Sequence, residues 1–229
     1  MYNLKLTILQ YLISALIAVF SLSVHETCHG LVAYWLGDET AKKAERLSLN
    51  PLKHIEPFGF LCMVFFHFGW AKPVPINPRN FKNPKIGMAV SAIAGPISNI
   101  LVAFIGLLLF NVCFAIHPAN PGLTGIVNII YYAFILLVQM NLSLAIFNLI
   151  PVPPLDGSRV VLTFLPRDKY FYVMKYERSI MTGFLLFLLA DRYIILKLFN
   201  FSIISTVIGF FTKKLLMAMQ FIIGFIPFL

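Results

Sequence analysis

The sequence predicts an all-α polytopic membrane protein with about five to six transmembrane helices and a short re-entrant or β-hairpin piece near residues 58–70. Of its 229 residues, 59% are hydrophobic and only 12% are charged, whereas soluble domains carry about 25% charged residues. Several apolar runs approach or exceed the roughly 20 residues that a helix needs to cross a bilayer. No polar stretch is long enough for an appended soluble domain, so we expect residues 1–229 to form a single membrane-embedded domain.

The chain has a formal net charge of +9. In a membrane protein a basic excess reports loop orientation more often than nucleic-acid binding. We therefore expect contact with the lipid bilayer and none with nucleic acid. The cysteines, Cys28, Cys62 and Cys113, are odd in number and scattered, which predicts no disulfide framework.

The first helix is predicted from about residue 6 to residue 36 and is long enough to tilt or protrude. Its first part, residues 6–24, resembles a signal sequence. However, the apolar run continues past it and no small-residue cleavage site is evident, so we interpret it as a retained helix.

Residues 37–85 form the most polar and basic part of the chain. Within them, residues 58–70 are apolar but too short to span a bilayer, and Pro57, Gly59 and Pro73 border or interrupt the segment. Irregular backbone survives at membrane depth only where protein or a water-filled cavity covers it. This piece should therefore dock against the helices and not face lipid.

The second and third helices are predicted at about residues 86–116 and 123–150, joined by a turn at 117–122 without Lys or Arg. Small or polar residues recur at every fourth position of the second helix: Gly87, Ser91, Gly95 and Asn99. Such stripes let membrane helices pack closely, so we interpret Asn99 as a helix-to-helix hydrogen bond rather than as a catalytic group. The third helix carries an unusual polar load: Gln139, Asn141 and Asn148.

The remaining chain predicts a basic loop at 151–178, one span near residues 180–190 that could extend past Asp191, and a second near 193–211. The tail at 215–229 is too short for a span and is expected in the membrane interface. Two helices separate the basic loops 37–85 and 151–178, so these loops share a side. The positive-inside rule makes that side cytoplasmic and predicts a multi-pass protein of the cell membrane.

The first helix contains the pattern His25-Glu26-Thr27-Cys28-His29. On a helix this H-E-x-x-H spacing places two imidazoles one turn apart on one face, which suits two ligands of one zinc ion. The glutamate beside them can take the proton of a zinc-activated water. Two histidines and a glutamate can also be core residues satisfied by hydrogen bonds, but three ionisable residues within a membrane span favour a functional site.

A zinc site of this kind needs a third protein ligand. Asp156 is the best candidate, because it follows a polar membrane helix directly and Gly157 permits a sharp turn. A turn residue at the end of a helix is the competing interpretation, since Asp favours such positions. Glu56 is the next candidate.

Two motifs in separate helices resemble the site-2 protease family of intramembrane zinc metalloproteases, in its minimal bacterial-type branch without PDZ or CBS domains. They are His25–Gly30 and the segment from Asn148 to Gly157, and further matching pieces extend the resemblance over roughly residues 15–160 in the expected order. These pieces are residues 37–41, 47–55, 70–75 and 94–99.

The resemblance implies a role for each matching residue. His25, His29 and Asp156 would bind zinc, Glu26 would act as the general base, and Asn148 would position substrate or hold the developing oxyanion. His54 also falls in a matching piece, where substrate contact and a structural hydrogen bond both remain open. His67 and His117 are expected to be structural or interfacial.

The resemblance implies an intramembrane endopeptidase that cuts in or near the transmembrane segments of membrane-protein substrates, as in regulated intramembrane proteolysis. The alternatives are a metal-handling membrane protein, which would favour internal repeats that the sequence lacks, and a catalytically silent relative that binds transmembrane helices. The catalytically silent relative is disfavoured because all four residues proposed to bind zinc or act as the base are present. The sequence leaves a homo-oligomer open.

Overall fold

The structure, a computed structural model, describes residues 2–57, 59, 71–116 and 124–224. Within these ranges the regular elements are helices, with an isolated antiparallel bridge between Ile55 and Ala71. The α-helices are α1 (Tyr2–Trp35), α2 (Thr40–Lys43), α3 (Pro84–Ile116), α4 (Thr124–Asn148), α5 (Asp156–Thr163), α6 (Arg167–Lys175), α7 (Glu177–Ala190), α8 (Leu196–Phe199) and α9 (Ile203–Gly224). Two 3-10 helices lie at Pro51–Lys53 and Pro78–Asn80, and a π-helical stretch, Asp191–Ile195, joins α7 to α8.

Three parts of the sequence-based interpretation lie outside the described residues. They are nearly all of the re-entrant or hairpin piece at 58–70, which includes Cys62 and His67, the turn at 117–122, which includes His117, and the last five residues. The form of the 58–70 piece stays a prediction.

In the part of the chain that the structure describes, five helical stretches are long and apolar enough to cross a membrane, which confirms the predicted all-α membrane architecture. They are residues 7–35, 84–115, 125–148, 177–199 and 203–224. Large apolar side chains such as Leu16 and Phe210 remain exposed on their outer faces. This exposure suits contact with lipid, because a bilayer solvates apolar surfaces that water would not.

Helix α3 is the centre of the bundle and packs against both α1 and α4. A buried cluster of apolar residues joins α3, α4 and α9: Ala103, Leu107, Val138, Leu142, Met219 and Ile223. Small residues such as Ala103 allow these helices to approach closely, which strengthens van der Waals packing between membrane helices.

The last two spans meet at residues 200–202, further along the chain than the predicted break near Asp191. Asp191 does not interrupt the fourth span, because its buried carboxylate accepts hydrogen bonds from Ser202 Oγ (2.6 Å) and Ile203 N (2.8 Å). The chain turns instead at Asn200, whose φ of 49° is left-handed. Residues 215–224 therefore belong to α9, which is long and apolar enough to span a membrane, and they do not form the separate tail that the sequence predicts.

The two basic loops lie at the same end of the bundle, as the sequence predicts. Lys85 Nζ donates to the Leu165 carbonyl, and Thr163 Oγ1 donates to the Lys85 carbonyl (3.2 Å), which ties the start of α3 to the end of α5. Arg159 and Glu177 form an ion pair (2.5 Å) that holds the start of α7 to the same region.

A short segment that we call the strap, residues 71–75, crosses α1 at this end. Lys72 N donates to the His54 carbonyl (2.8 Å), and Arg46 Nη2 donates to the Lys72 carbonyl (2.7 Å). Val74 packs against α1 at Gly30, where a Cβ would lie 2.9 Å from its side chain. The strap therefore covers the part of α1 that carries the H-E-x-x-H pattern.

Candidate metal centre

His25 and His29 project from the same face of α1, as their spacing predicts. Both are buried, at 4% and 7% exposure, inside a membrane-spanning helix. Their Nε2 atoms lie 2.9 Å apart and their rings are perpendicular, so the two nitrogens point at one common position.

Asp156 meets the two imidazoles from the first turn of α5. Its Oδ2 lies 3.2 Å from His25 Nε2 and 3.3 Å from His29 Nε2. Gly157 makes this approach possible, because a Cβ there would collide with the Leu149 carbonyl in the turn between α4 and α5. Among the described residues, these three side chains form a group that could hold a metal ion, with ligand atoms all within 4.8 Å of one another.

The opposite nitrogen of each imidazole is hydrogen-bonded to an oxygen. His25 Nδ1 lies 2.5 Å from Asn99 Oδ1, and His29 Nδ1 lies 2.8 Å from the Ser91 carbonyl. Amide and peptide oxygens only accept hydrogen bonds, so both Nδ1 atoms donate. In the neutral imidazoles each Nε2 then carries a lone pair towards the common position.

This donor set fits a zinc ion. Two nitrogen lone pairs and one carboxylate oxygen face one another at contact distance, and the buried Oδ2 of Asp156 has no hydrogen-bond donor among the described residues. Such an arrangement requires a positive charge at its centre. Hydrolytic zinc sites use two imidazoles and one carboxylate as protein ligands and complete the coordination with a water.

Gly95 of α3 lies directly beneath the two rings. A Cβ at this position would be 2.5 Å from His29 Nε2 and 2.6 Å from His25 Cε1. A glycine is therefore needed here so that α3 can support both imidazoles from below.

Glu26 is held by the strap. Its Oε2 accepts a hydrogen bond from Val74 N (2.9 Å), which fixes one carboxylate oxygen and leaves Oε1 to act on another group. Pro73 and Pro75 flank Val74 and have no N–H, so Val74 provides the donor in this part of the strap.

Three other sequence candidates lie outside the converging group. Asn148, at the end of α4, donates from Nδ2 to the Leu144 carbonyl of its own helix (3.1 Å), and among the described residues no hydrogen bond joins it to the centre. His54 is buried, and its Nε2 donates to the Ser48 carbonyl (2.7 Å), which also accepts from Thr27 Oγ1 (2.8 Å). Glu56 accepts from the Gly59 N–H.

The stripe of small and polar residues on α3 predicts helix packing, and its spacing alone does not connect it with the histidines. In the structure, the Ser91 carbonyl contacts His29 and Asn99 contacts His25. Gly95 lies against both imidazoles. The four-residue spacing was the available signal, because it places these residues on one face of α3. The sequence could not show which helix that face would meet.

Comparison with known proteins gives three similarities. The model of peptidase family M50 matches residues 115–190, a range that contains Asn148 and Asp156 but not His25 or His29. A Bacillus subtilis (strain 168) protein named "Putative zinc metalloprotease YwhC" is 42% identical over 163 residues, covering 70% of this chain and 72% of that protein. A Methanocaldococcus jannaschii protein named "Putative zinc metalloprotease MJ0611" is 27% identical over 158 residues, covering 68% and 72%. No solved structure matches the chain significantly.

Proposed function

The chain belongs to peptidase family M50, and on that premise we propose that it is a zinc-dependent intramembrane endopeptidase. Its substrates would be membrane proteins cut in or near a transmembrane segment. The relatives named as zinc metalloproteases support the metal and the reaction class. The observation that carries the proposal is the meeting of His25, His29 and Asp156 at one position. Glu26 directly follows His25 on the same helix.

His25, His29 and Asp156 would hold the zinc ion. When bound there, zinc polarises a peptide carbonyl and lowers the pKa of water. Glu26 takes the proton of the attacking water on Oε1, while the Val74 N–H keeps the carboxylate in place through Oε2. The protonated Glu26 then gives this proton to the leaving amine. Glu26 therefore acts first as the general base and then as the general acid.

Asn148 is proposed to position the substrate. It lies at the end of α4, eight residues before Asp156, and its amide oxygen has no hydrogen-bond donor among the described residues. A substrate helix has its own carbonyls bonded internally, so it must unwind locally before a group such as Asn148 can hold it.

The location of the centre supports a substrate within the membrane. His25 and His29 lie inside the span at residues 7–35, nearer its end at Trp35 than its beginning. That end carries both basic loops, which the positive-inside rule assigns to the cytoplasm. We propose a multi-pass protein of the cell membrane, formed by a single domain over residues 1–229, that cuts near the cytoplasmic end of its substrate and releases a cytoplasmic fragment.

Replacing Glu26 with Gln tests the proposal. The Gln side chain still accepts from Val74 N but cannot take a proton from water, so we expect membrane proteolysis to cease while about one zinc per chain is retained. Quantitative proteomics of the membrane fraction would measure the proteolysis, and elemental analysis of the purified protein would measure the zinc content.

The matched control is Glu39→Gln, which changes an exposed glutamate that pairs with Lys43 and should leave both readouts unchanged. Proteolysis by Glu26→Gln at a near-normal rate would remove Glu26 from the base role. Full zinc occupancy after Asp156→Ala would place the third ligand elsewhere, and Glu56 would be tested next.

A further inference from the structure

A chain of buried amides lies on the Nδ1 side of His25 and links three helices. Asn99 of α3, Asn141 of α4 and Ser21 of α1 are all completely buried. Asn99 Oδ1 accepts from His25, Asn99 Nδ2 donates to Asn141 Oδ1 (2.8 Å), and Asn141 Nδ2 donates to Ser21 Oγ (2.8 Å). Polar side chains inside a membrane bundle are costly unless every group is paired.

The direction of this chain is fixed at its far end. Asn141 Nδ2 also donates to the Leu137 carbonyl of its own helix (2.8 Å), and a peptide carbonyl can only accept. Asn141 must therefore point its NH₂ group at Leu137 and its oxygen at Asn99. Asn99 must in turn point its NH₂ group at Asn141 and its oxygen at His25, so His25 has to carry its proton on Nδ1.

We infer that Asn141, acting through Asn99, holds His25 in the Nδ1-protonated tautomer whose Nε2 lone pair faces the metal position. Asn99 and Asn141 are then positioning residues for the metal ligand. The inference rests on the proposed role of His25 as a ligand. The tautomer of a metal-binding histidine is set by the hydrogen bond at its other nitrogen, and loss of such a partner typically costs about 10- to 100-fold in metal affinity.

Asn141 is the informative position, because among the described residues its hydrogen bonds reach Asn99, Ser21 and Leu137 but not His25. Without Asn141 the present orientation of the Asn99 amide is held only by a long hydrogen bond from Nδ2 to the Ser21 carbonyl (3.5 Å). A bond of that length is too weak to prevent rotation, so the amide can present its NH₂ group to His25. An NH₂ group there requires an unprotonated Nδ1, which moves the proton to Nε2, where it blocks metal binding. A purely structural amide would not affect the tautomer.

The test compares wild-type protein with Asn141→Leu by nitrogen-15 NMR of labelled histidines in the metal-free protein, at alkaline pH where imidazoles are neutral. We expect Nδ1-protonated His25 in the wild type and a shift towards the Nε2-protonated form in the variant. Zinc titration against a competing chelator should show affinity about 10- to 100-fold weaker in Asn141→Leu.

Asn111→Leu is the matched control. This amide lies on α3 about three turns beyond Asn99, the partner of His25, and donates to the Leu107 carbonyl of its own helix (2.9 Å). The substitution should change neither the tautomer nor the zinc affinity. In an Asn99→Leu background, Asn141→Leu should cause no further loss of zinc affinity, because Asn141 acts only through Asn99.

Two results would overturn the inference. One is an Nε2-protonated His25 in the metal-free wild-type protein. This measurement does not depend on whether any variant folds. The other is an Asn141→Leu protein with lower thermal stability but unchanged tautomer and zinc affinity, the pattern of simple helix packing. Neither readout involves proteolysis, so a failure of the proposed enzymatic function would be recognised separately.

Discussion

The residues of α3 that contact His25 and His29 determine what these two histidines can bind. Each ring donates from Nδ1 to an oxygen of α3, and Gly95 of the same helix supports both rings from below. The position of α3 relative to α1 therefore sets the orientation of both Nε2 atoms. Changes in α3 should affect the centre even though α3 supplies none of the proposed ligands.

Replacing Gly95 with Ala should weaken metal binding. The added methyl group would lie 2.5–2.6 Å from the atoms of both rings, so the rings or the helix must shift, and we expect zinc affinity to fall by about 10-fold or more. Chelator competition on the purified protein would measure the loss. Gly209→Ala is the control, because a Cβ there meets nothing within 4 Å. Unchanged zinc affinity in Gly95→Ala would show that the rings do not rest on this glycine.

At the scale of the elements, Asp38 joins the end of α1 to the loop that precedes α3. This buried carboxylate accepts from Thr40, Asn77 N (2.7 Å) and Asn80 Nδ2 (2.6 Å). Burial raises the pKa of Asp38, but the hydrogen bonds from Thr40, Asn77 and Asn80 outweigh it and hold the pKa below its ordinary value of 3.8.

Asp38→Asn should destabilise the protein at neutral pH and have little effect in acid. A depressed pKa means that the charged form stabilises the fold above the ordinary pKa and that this stability is lost as the pH falls through the folded value. Asn turns an acceptor into a donor that faces N–H groups, at a cost of about 1–3 kcal/mol. Thermal unfolding over a pH series would measure the stability difference between Asp38→Asn and the wild type. Asp168→Asn, at an exposed position, is the control. A stability difference that persists unchanged in acid would contradict the assignment.

The joint between the fourth and fifth spans depends on Asp191. Its oxygens accept from Ser202 Oγ and from the first N–H of α9, as the residues that cap a helix N-terminus do. Asp191→Ala should therefore lower stability by about 0.5–2 kcal/mol, the usual cost of losing a cap. Thermal unfolding and zinc content would be measured together. Zinc content should stay unchanged, and a loss of zinc with unchanged stability would argue for a role at the metal centre.

At the scale of the whole molecule, the five spans found among the described residues place the start of α1 and the end of α9 at opposite ends of the bundle. The loops that precede α3 and follow α4 lie together at the end nearer the metal centre. The membrane orientation of the bundle therefore decides on which side a cleaved substrate releases its fragment.

Single-cysteine labelling should place the basic loops in the cytoplasm. In a background lacking Cys28, Cys62 and Cys113, a cysteine at Lys82 should react with a membrane-impermeant reagent only after lysis. A cysteine at Asn120, in the turn without basic residues, should react in whole cells, because the positive-inside rule retains the Lys-rich and Arg-rich loops. The opposite labelling pattern would reverse the topology and the direction of fragment release.

The sequence by itself determined the apolar spans, the helical spacing of His25 and His29, and Asp156 as the candidate to meet them. Hydropathy and four-residue spacing are local properties, so they can be evaluated without the fold. Only the tertiary structure decided that α3 lies beneath the imidazoles, that the strap holds Glu26 and that Asp191 pairs with the next helix. These contacts join residues 11 to 74 positions apart, and they depend on how the helix faces rotate towards one another as the whole bundle packs.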